Sequence, residues 1–454
     1  MIYIEKAGKP TVSIASGGFE DDSEASARAF GMPEVPFVVV PDVVTSVPPE
    51  RSVAQVSEQL EGIVRALTTP SVSPSGNGHL RAERLPGPPM IFQGEDAFDA
   101  LDQFNKTFLD NGWGDGFPLI APTPERVERM MRGTTRAADD VVGILPPGMG
   151  IATVQGIAIT AVMAGCEPEH LPVLIAGAEA VIQMGGRARQ WLMSTSSDAP
   201  FMLINGPIVD ELGMNTGACT IGPGQQSRVN IVLGRGLRLM LMNQGHNYPT
   251  EMDMDTIGSP SKFSFCGAEP VNGGPWVPFH VTKGYLPKSS TISVAGVSAT
   301  RDAADTNNFT PDGILGSISG SLGGGGYTSY RWSDPDPYDP AGGSGVLVVL
   351  CPDHANVCAD AGWSKEMVQD FLWGHSKTSA AGIRGRAKVN PDFLLPSWRW
   401  LLNLSPEEAA RTALPGFNRP DRIEIAVFGG AGGKSQVMGL NGPTSTIEIK
   451  DRAG

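Results

Sequence analysis

Hydrophobic and polar positions follow two rhythms along the chain. Near the N-terminus, Thr11-Val12-Ser13-Ile14 alternates with the period of two expected of a strand. DSEASARAFG then carries a helical pattern, with Asp22 or Ser23 as the expected N-cap and Gly31 as the C-cap. PFVVVP reads as a buried strand, because Val38, Val39 and Val40 in succession imply cover on both faces. ERSVAQVSEQLEGIVRAL, residues 50–67, again places apolar side chains at helical spacing. Strands alternating with helices predict a parallel sheet, and two strands are too few to complete one. Residues 1–68 therefore predict a small, incomplete Rossmann-like βαβα domain.

The rhythm stops in TTPSVSPSGNGHLRAERLPGPPM, whose Pro, Ser and Gly content is that of a flexible linker, placed at 69–95. Beyond it, helical periodicity appears at 96–109, 124–132, 153–166, 171–184 and 227–243. Strands are expected at 201–205, 291–296, 345–351, 423–428 and 445–449. Residues 96–454 predict a larger α/β or α+β domain that carries the catalytic or binding site.

Charge and cysteine usage narrow the function classes. A net charge of -14 without a basic run argues against a nucleic-acid or anionic-membrane partner. The longest apolar stretch, Ile151 to Gly165, is too short and interrupted to span a bilayer. Five cysteines (166, 219, 266, 351 and 358) are few and odd in number, which fits reduced thiols. The N-terminus shows no apolar leader run, so a soluble cytoplasmic location is expected.

EKAGKPTVSIASGGF (5–19), ARAFGMPEVPFVVVP (27–41) and the helix after them resemble the UGSC family of (seleno)proteins. That family places its U/C-Gly-Ser-Cys motif on the βα unit just upstream of this strand. Here the motif is missing, and no cysteine precedes Cys166. The body resembles a large uncharacterised bacterial family often associated with such proteins, through GWGDGFPLIAPT, AGCEPEHLP, INGPIVDELGMN, FCGAE, PDHA, GWSK and FGGAGG. The UGSC resemblance implies thiol or selenol chemistry on small organosulfur or organometal compounds.

Several motifs offer chemistry of their own. VFGGAGGKSQ (427–436) is not a P-loop, because the first glycine that motif needs falls at Phe428. It leaves Gly429, Gly430, Gly432, Gly433, Lys434 and Ser435 as a backbone nest for a carboxylate or oxyanion, or as a plain crossover. NTGACTIGPGQQSRVN (215–230) enters a helix near Ser227, where peptide N–H groups favour an anion and a lowered thiol pKa. Cys219 is thus a candidate thiolate, set against a small buried residue, with Asn205, Asn215, Gly222 and Gly224 as ligand-binding candidates. In KFSFCGAEP, alternation of Phe263 and Phe265 with Ser264 and Cys266 predicts a strand leading into an exposed loop. Cys266 three residues before Glu269 then suggests a nucleophile beside a proton donor. Cys166, ending an apolar helix, reads as core.

CPDHANVC spaces Cys351, His354 and Cys358 either as metal ligands or as a structural helix start, with His354 free to act as acid or base. GHNYPTEMDMD, with His246, Glu251, Asp253 and Asp255, lacks the glycine and length of an EF-hand and reads as a solvated acidic turn. Asp115 lies between glycines that let backbone approach a ligand closely. GSLGGGGYTSY (320–330) reads as a lid or an irregular loop.

The leading expectation is a thiol-assisted lyase or redox enzyme acting on a small organosulfur or other heteroatom-containing metabolite. Cys266 would attack, Glu269 or His354 would move the proton, and the glycine loops would cradle an anion. A hydratase or lyase on an acyl thioester, using Asp115, Glu269 and His354 without covalent cysteine, is the alternative. A non-catalytic scaffold subunit is the third reading. Cofactor and metal stay unassigned, and a second copy or companion subunit is expected to complete the N-terminal sheet at its 11–15 edge.

Overall fold

The computed structural model describes all residues except 1–3, 6–7, 70–88, 273, 324–344, 390–395, 418, 443 and 453–454. Most of the expected linker, and GSLGGGGYTSY beyond Gly323, lie outside the described residues. The chain forms a mixed α/β fold.

At the N-terminus, β1 (Ser13–Ser16) pairs in parallel with β2 (Phe37–Val40), joined by α1 (Glu20–Ala29). α1 begins one turn earlier than expected, capped at Phe19, so Glu20, Asp21 and Asp22 fill its first turn. Their charge suits the positive end of the helix dipole. The apolar run at 50–67 forms two helices rather than one, α2 (Pro49–Glu58) and α3 (Leu60–Thr68), broken at Gln59. Gly62 of α3 rests against Val38 of β2.

The body opens with α4 (Ala97–Asp110), whose first turn is capped by the Asp96 carboxylate, and α5 (Pro124–Met131), capped by Thr123. A hairpin that the hydrophobic pattern did not predict follows: β3 (Val141–Leu145) and β4 (Gly150–Thr153). Then come α6 (Val154–Ala164), α7 (Leu171–Met184) and α8 (Gly186–Leu192). β5 (Ala199–Asn205) is followed by α9 (Arg228–Asn243) and β6 (Cys266–Ala268). β7 (Thr291–Ala304), α10 (Pro311–Gly323), β8 (Gly345–Leu350), α11 (Pro352–Asp360) and α12 (Lys365–His375) come next. A satellite of β9 (Lys377–Ser379), α13 (Ala380–Val389), α14 (Pro406–Arg411) and β10 (Ala413–Pro415) precedes β11 (Ile423–Val427), β12 (Lys434–Leu440) and β13 (Ser445–Glu448).

The large sheet runs β11-β8-β12-β7-β5-β6, with β13 beside β7. Its end pairs, β11 with β8 and β5 with β6, are parallel, and the centre is antiparallel. The two-residue period sends alternate side chains to opposite faces. Phe201, Leu203, Val297, Val349, Phe428 and Met438 pack together on the concave face of the curled sheet. On the convex face, Met202, Ile204 and Val294 pack with the apolar sides of α6, α7 and α9, while Val346, Val348 and Ile425 pack with α10, α11 and α12. The curl brings the two edges close. The Glu269 carboxylate, just past β6, accepts the Val427 N–H of β11 at 2.7 Å. Gly267 faces the Phe428 ring so closely that a Cβ would stand 2.9 Å from it, so only glycine fits.

Candidate functional site

A cavity of about 1170 Å³ lies where the N-terminal unit meets the body. Its walls include Asp21 and Arg28 of α1, Trp113 and Asp115 after α4, and Tyr248, Glu251 and Phe263 of the segment between α9 and β6. GWGDG can turn there because Gly112 and Gly116 hold positive φ angles of 70° and 96°. Asp115 is held by Arg235, whose Nε and Nη2 donate to its two carboxylate oxygens at 2.7 and 2.9 Å. Such bidentate pairs fix orientation as well as charge.

One turn along α9, Arg238 anchors a second set of ion pairs. Its Nη1 donates to Asn247 Oδ1 at 2.6 Å and its Nη2 to Asp253 Oδ2 at 2.9 Å. Lys262 Nζ donates to Asp253 Oδ1 at 2.7 Å and pairs with Asp255 Oδ2 at 2.7 Å. Burial pulls Arg238 below the usual guanidinium value, against the opposing charge of Asp253. For Asp255, burial works upward, but Lys262 and the N–H groups of Gly258 and Ile257 hold it below the ordinary carboxylate value. GHNYPTEMDMD is therefore not a solvated acidic turn: Asp253 is buried in the floor of the cleft, and only Glu251 reaches the rim, 3.5 Å from Arg28.

The N-terminal unit is docked here through α8. Arg189 donates to Ser26 Oγ at 3.1 Å and to the Pro147 carbonyl at 2.7 Å, and stacks 4.4 Å over the Phe30 ring. Beside it, burial raises the Asp22 carboxyl to about 6, with Arg189 opposing.

Four other expected site residues fall into two separate buried centres, Glu269 with Asn205 and His354 with Ser435. Glu269 is 3% exposed, not on an exposed loop. Besides Val427, it accepts from the Phe279 N–H and Asn205 Nδ2, both at 2.6 Å. Nearby, Lys365 donates to the Val277 carbonyl at 2.9 Å, and burial lowers its pKa against the Glu269 charge. Glu269 and Asn205 thus meet, but as a staple across the sheet edges. Cys266 cannot join them. Residues three apart in an extended strand face opposite sides. Its thiol lies in the helix-side core, where burial pushes its pKa well above the ordinary thiol value. Cys166 is likewise buried, against the Val232 carbonyl.

The second centre joins α11 to the start of β12. His354 Nδ1 lies 2.7 Å from Ser435 Oγ, and Nε2 lies 2.8 Å from the Asp305 carbonyl, so Nε2 carries a proton. The Cys351 N–H donates to Ser435 Oγ at 3.2 Å, and its Sγ lies 3.8 Å from that oxygen. Burial alone would raise the Cys351 thiol, but hydrogen bonding and charge from His354 bring it below the ordinary value. His354 rises in turn, despite burial, through Cys351 and the Asp305 carbonyl. Cys351, His354 and Ser435 are each 2% exposed, which closes this centre to solvent. Cys358 sits in the core with its pKa raised by burial to about 11, apart from any ligand set. Among the described residues, no group of three or more His, Cys, Asp or Glu side chains is arranged to hold a metal ion.

The two glycine loops meet each other, with Gly429 N–H donating to the Thr216 carbonyl at 2.8 Å and Gly430 against Ala218. The nest at 429–433 already has a carboxylate: Asp353 Oδ2 accepts from Gly432 and Gly433 N–H at 2.6 and 3.2 Å. Lys434 is exposed at the head of β12. Asn215 braces its own loop through the Ala218 carbonyl and Ser227 Oγ, both at 2.8 Å. Gly222 donates to the Cys219 carbonyl at 2.9 Å, Gly224 holds φ 128°, and Cys219 is exposed at φ 59°. Neither loop lines the cleft.

The residues that sequence reasoning missed include Arg235, Arg238 and Lys262, together with Asp21, Arg28, Trp113 and Tyr248 of the cavity wall. Two arginines three apart in the otherwise apolar stretch GRGLRLMLM are the signal that could have found Arg235 and Arg238. Residues 1–69 match the UGSC family. Among curated proteins, none matches the chain. No helix of the described residues is long and apolar enough to cross a membrane.

Proposed function

We propose that the chain is a lyase- or hydratase-type enzyme that binds a small zwitterionic organic molecule in the cleft and acts by proton transfer without covalent cysteine. The observation that carries this reading is Lys262 in the cleft wall. An ammonium has three donors; Asp253 takes one and Asp255 pairs with the charge at 2.7 Å, which leaves donor capacity for a carboxylate or carbonyl of the ligand. Asp21 and Glu251 in the same lining supply carboxylates for a cationic group and for proton abstraction, and Trp113, Tyr248 and Phe263 supply aromatic surface. The buried ion pairs beneath hold these groups in place before the ligand arrives.

The same reading gives the N-terminal unit a working role as one wall of the site, and a partner chain at its open β1 edge. The test is ligand-observed NMR with a panel of amino acids, amines and carboxylates. Zwitterions should bind best, Lys262→Ala should abolish binding, and Asp21→Asn should keep binding but lose turnover. Equal binding of the panel by the wild type and Lys262→Ala would refute it.

A further inference from the structure

The cleft is negative, yet most of its carboxylates already hold partners. Its lining has five, Asp21, Asp115, Glu251, Asp253 and Asp255, against three cations, Arg28, Arg238 and Lys262. Both oxygens of Asp115 are taken by Arg235, which lies behind the lining. Arg238 and Lys262 take the two oxygens of Asp253. Asp255 accepts from the N–H groups of Ile257 and Gly258 at 3.1 and 2.8 Å and pairs with Lys262, while Glu251 faces Arg28. With Arg235 set against Asp115, five carboxylates and four cations leave one negative charge. Among the described residues, Asp21 alone of the five has no ion-pair partner. Aromatic surface stays open beside these charges: Trp113 and Tyr248 are half-buried, and Phe263 is 43% exposed.

This combination discriminates between kinds of cation. A primary ammonium brings three N–H donors and loses free energy on leaving water unless each finds an acceptor. Of the carboxylates in the cleft, only Asp21 is without a partner. A quaternary ammonium has no N–H to satisfy, and is held by surrounding negative charge and the faces of aromatic rings. We propose that the ligand of the cleft is a quaternary-ammonium carboxylate. Asp21 and the rings of Trp113, Tyr248 and Phe263 receive its alkylated nitrogen, and Lys262 receives its carboxylate. The assignment rests on the zwitterion-binding reading of the cleft and narrows it to a substrate class.

Isothermal titration calorimetry of the full chain tests it with glycine, N-methylglycine, N,N-dimethylglycine and N,N,N-trimethylglycine, which share one carboxylate and lose N–H donors in turn. Affinity should rise along the series, by at least about tenfold from first to last. Phe263→Leu alters an exposed ring and should weaken trimethylglycine binding about three- to thirtyfold while leaving glycine binding unchanged. Phe263→Trp should restore it. Glycine binding as tightly as trimethylglycine, or an equal loss for both in Phe263→Leu, overturns the quaternary-ammonium assignment and leaves the zwitterion reading standing. So does failure of trimethylglycine to bind where another zwitterion binds in a Lys262-dependent way. Binding of no zwitterion at all overturns both.

Discussion

α3 and α7 are both short, strongly apolar helices, yet they end in opposite situations. α7 buries ten of its residues between the large sheet and neighbouring helices, whereas α3 buries none. Each large apolar side chain buried in α7 contributes roughly 1.5–3 kcal/mol, so the body is held by its own core. The N-terminal unit has a two-stranded sheet, a three-residue core cluster of Ala27, Met32 and Val35, and polar docking contacts to α8. The difference teaches that the unit is an attached part, placed by Arg189 and Arg28 where it closes the cleft.

The largest expected effect falls inside the body. Glu269→Leu removes the acceptor for three donors and leaves Lys365 buried without its compensating charge. It should cost about 3–5 kcal/mol of unfolding free energy, measured by urea denaturation. Protection of amides in residues 13–68 should be unaffected while the body stays folded; a loss of protection there at the same low denaturant would merge the two regions.

Arg189→Ala acts on the boundary. Loss of the Ser26 hydrogen bond and the Phe30 stacking should loosen the N-terminal unit by about 1–2 kcal/mol. Native-state hydrogen exchange should quicken in α1 and β1 and stay unchanged in α6 and α7. Faster exchange throughout would deny the unit its separate standing.

The smallest effect is electrostatic. The Asp22 carboxyl is raised from 3.8 to about 6 by burial, with Arg189 opposing. Between those values the folded chain holds more protons than the unfolded chain, so this group's contribution is fully present below about pH 4 and is lost as pH rises through about 6. Asp22→Asn should raise Tm at pH 7 by no more than about 2 °C, reduced by solvent screening of a half-buried group. It should also flatten Tm between pH 4 and 6. An unchanged pH slope would show that Asp22 is not the titrating group.

Legibility in the sequence followed burial. β5, β7, β8, β11 and β13 were readable because each carries a run of apolar or β-branched residues, and α6, α7 and α9 because their periodicity is long. β12 was hidden: it starts with Lys434-Ser435 directly out of a glycine loop, and the expected crossover continues as the central strand of the sheet. The β3–β4 hairpin was hidden by its short, glycine-broken strands. Of the cleft wall, Asp115 was singled out through its flanking glycines, and its carboxylate is committed to Arg235. The pairing of Cys266 with Glu269 was misread because adjacency in sequence was taken for adjacency in space, against the alternation of a strand. Arg238, Asp253 and Lys262 were illegible as a set, since α9 and the loop beyond it come together only through the fold.

The most direct test of the cleft between the two regions is hydrogen exchange, by mass spectrometry, on the full chain with and without the tightest-binding amino acid of the panel. Simultaneous protection of α1 and of residues 248–263 is the expected result, since both line the cavity. Protection confined to 351–354 and 429–435, or to one wall alone, would contradict a ligand held between the N-terminal unit and the body.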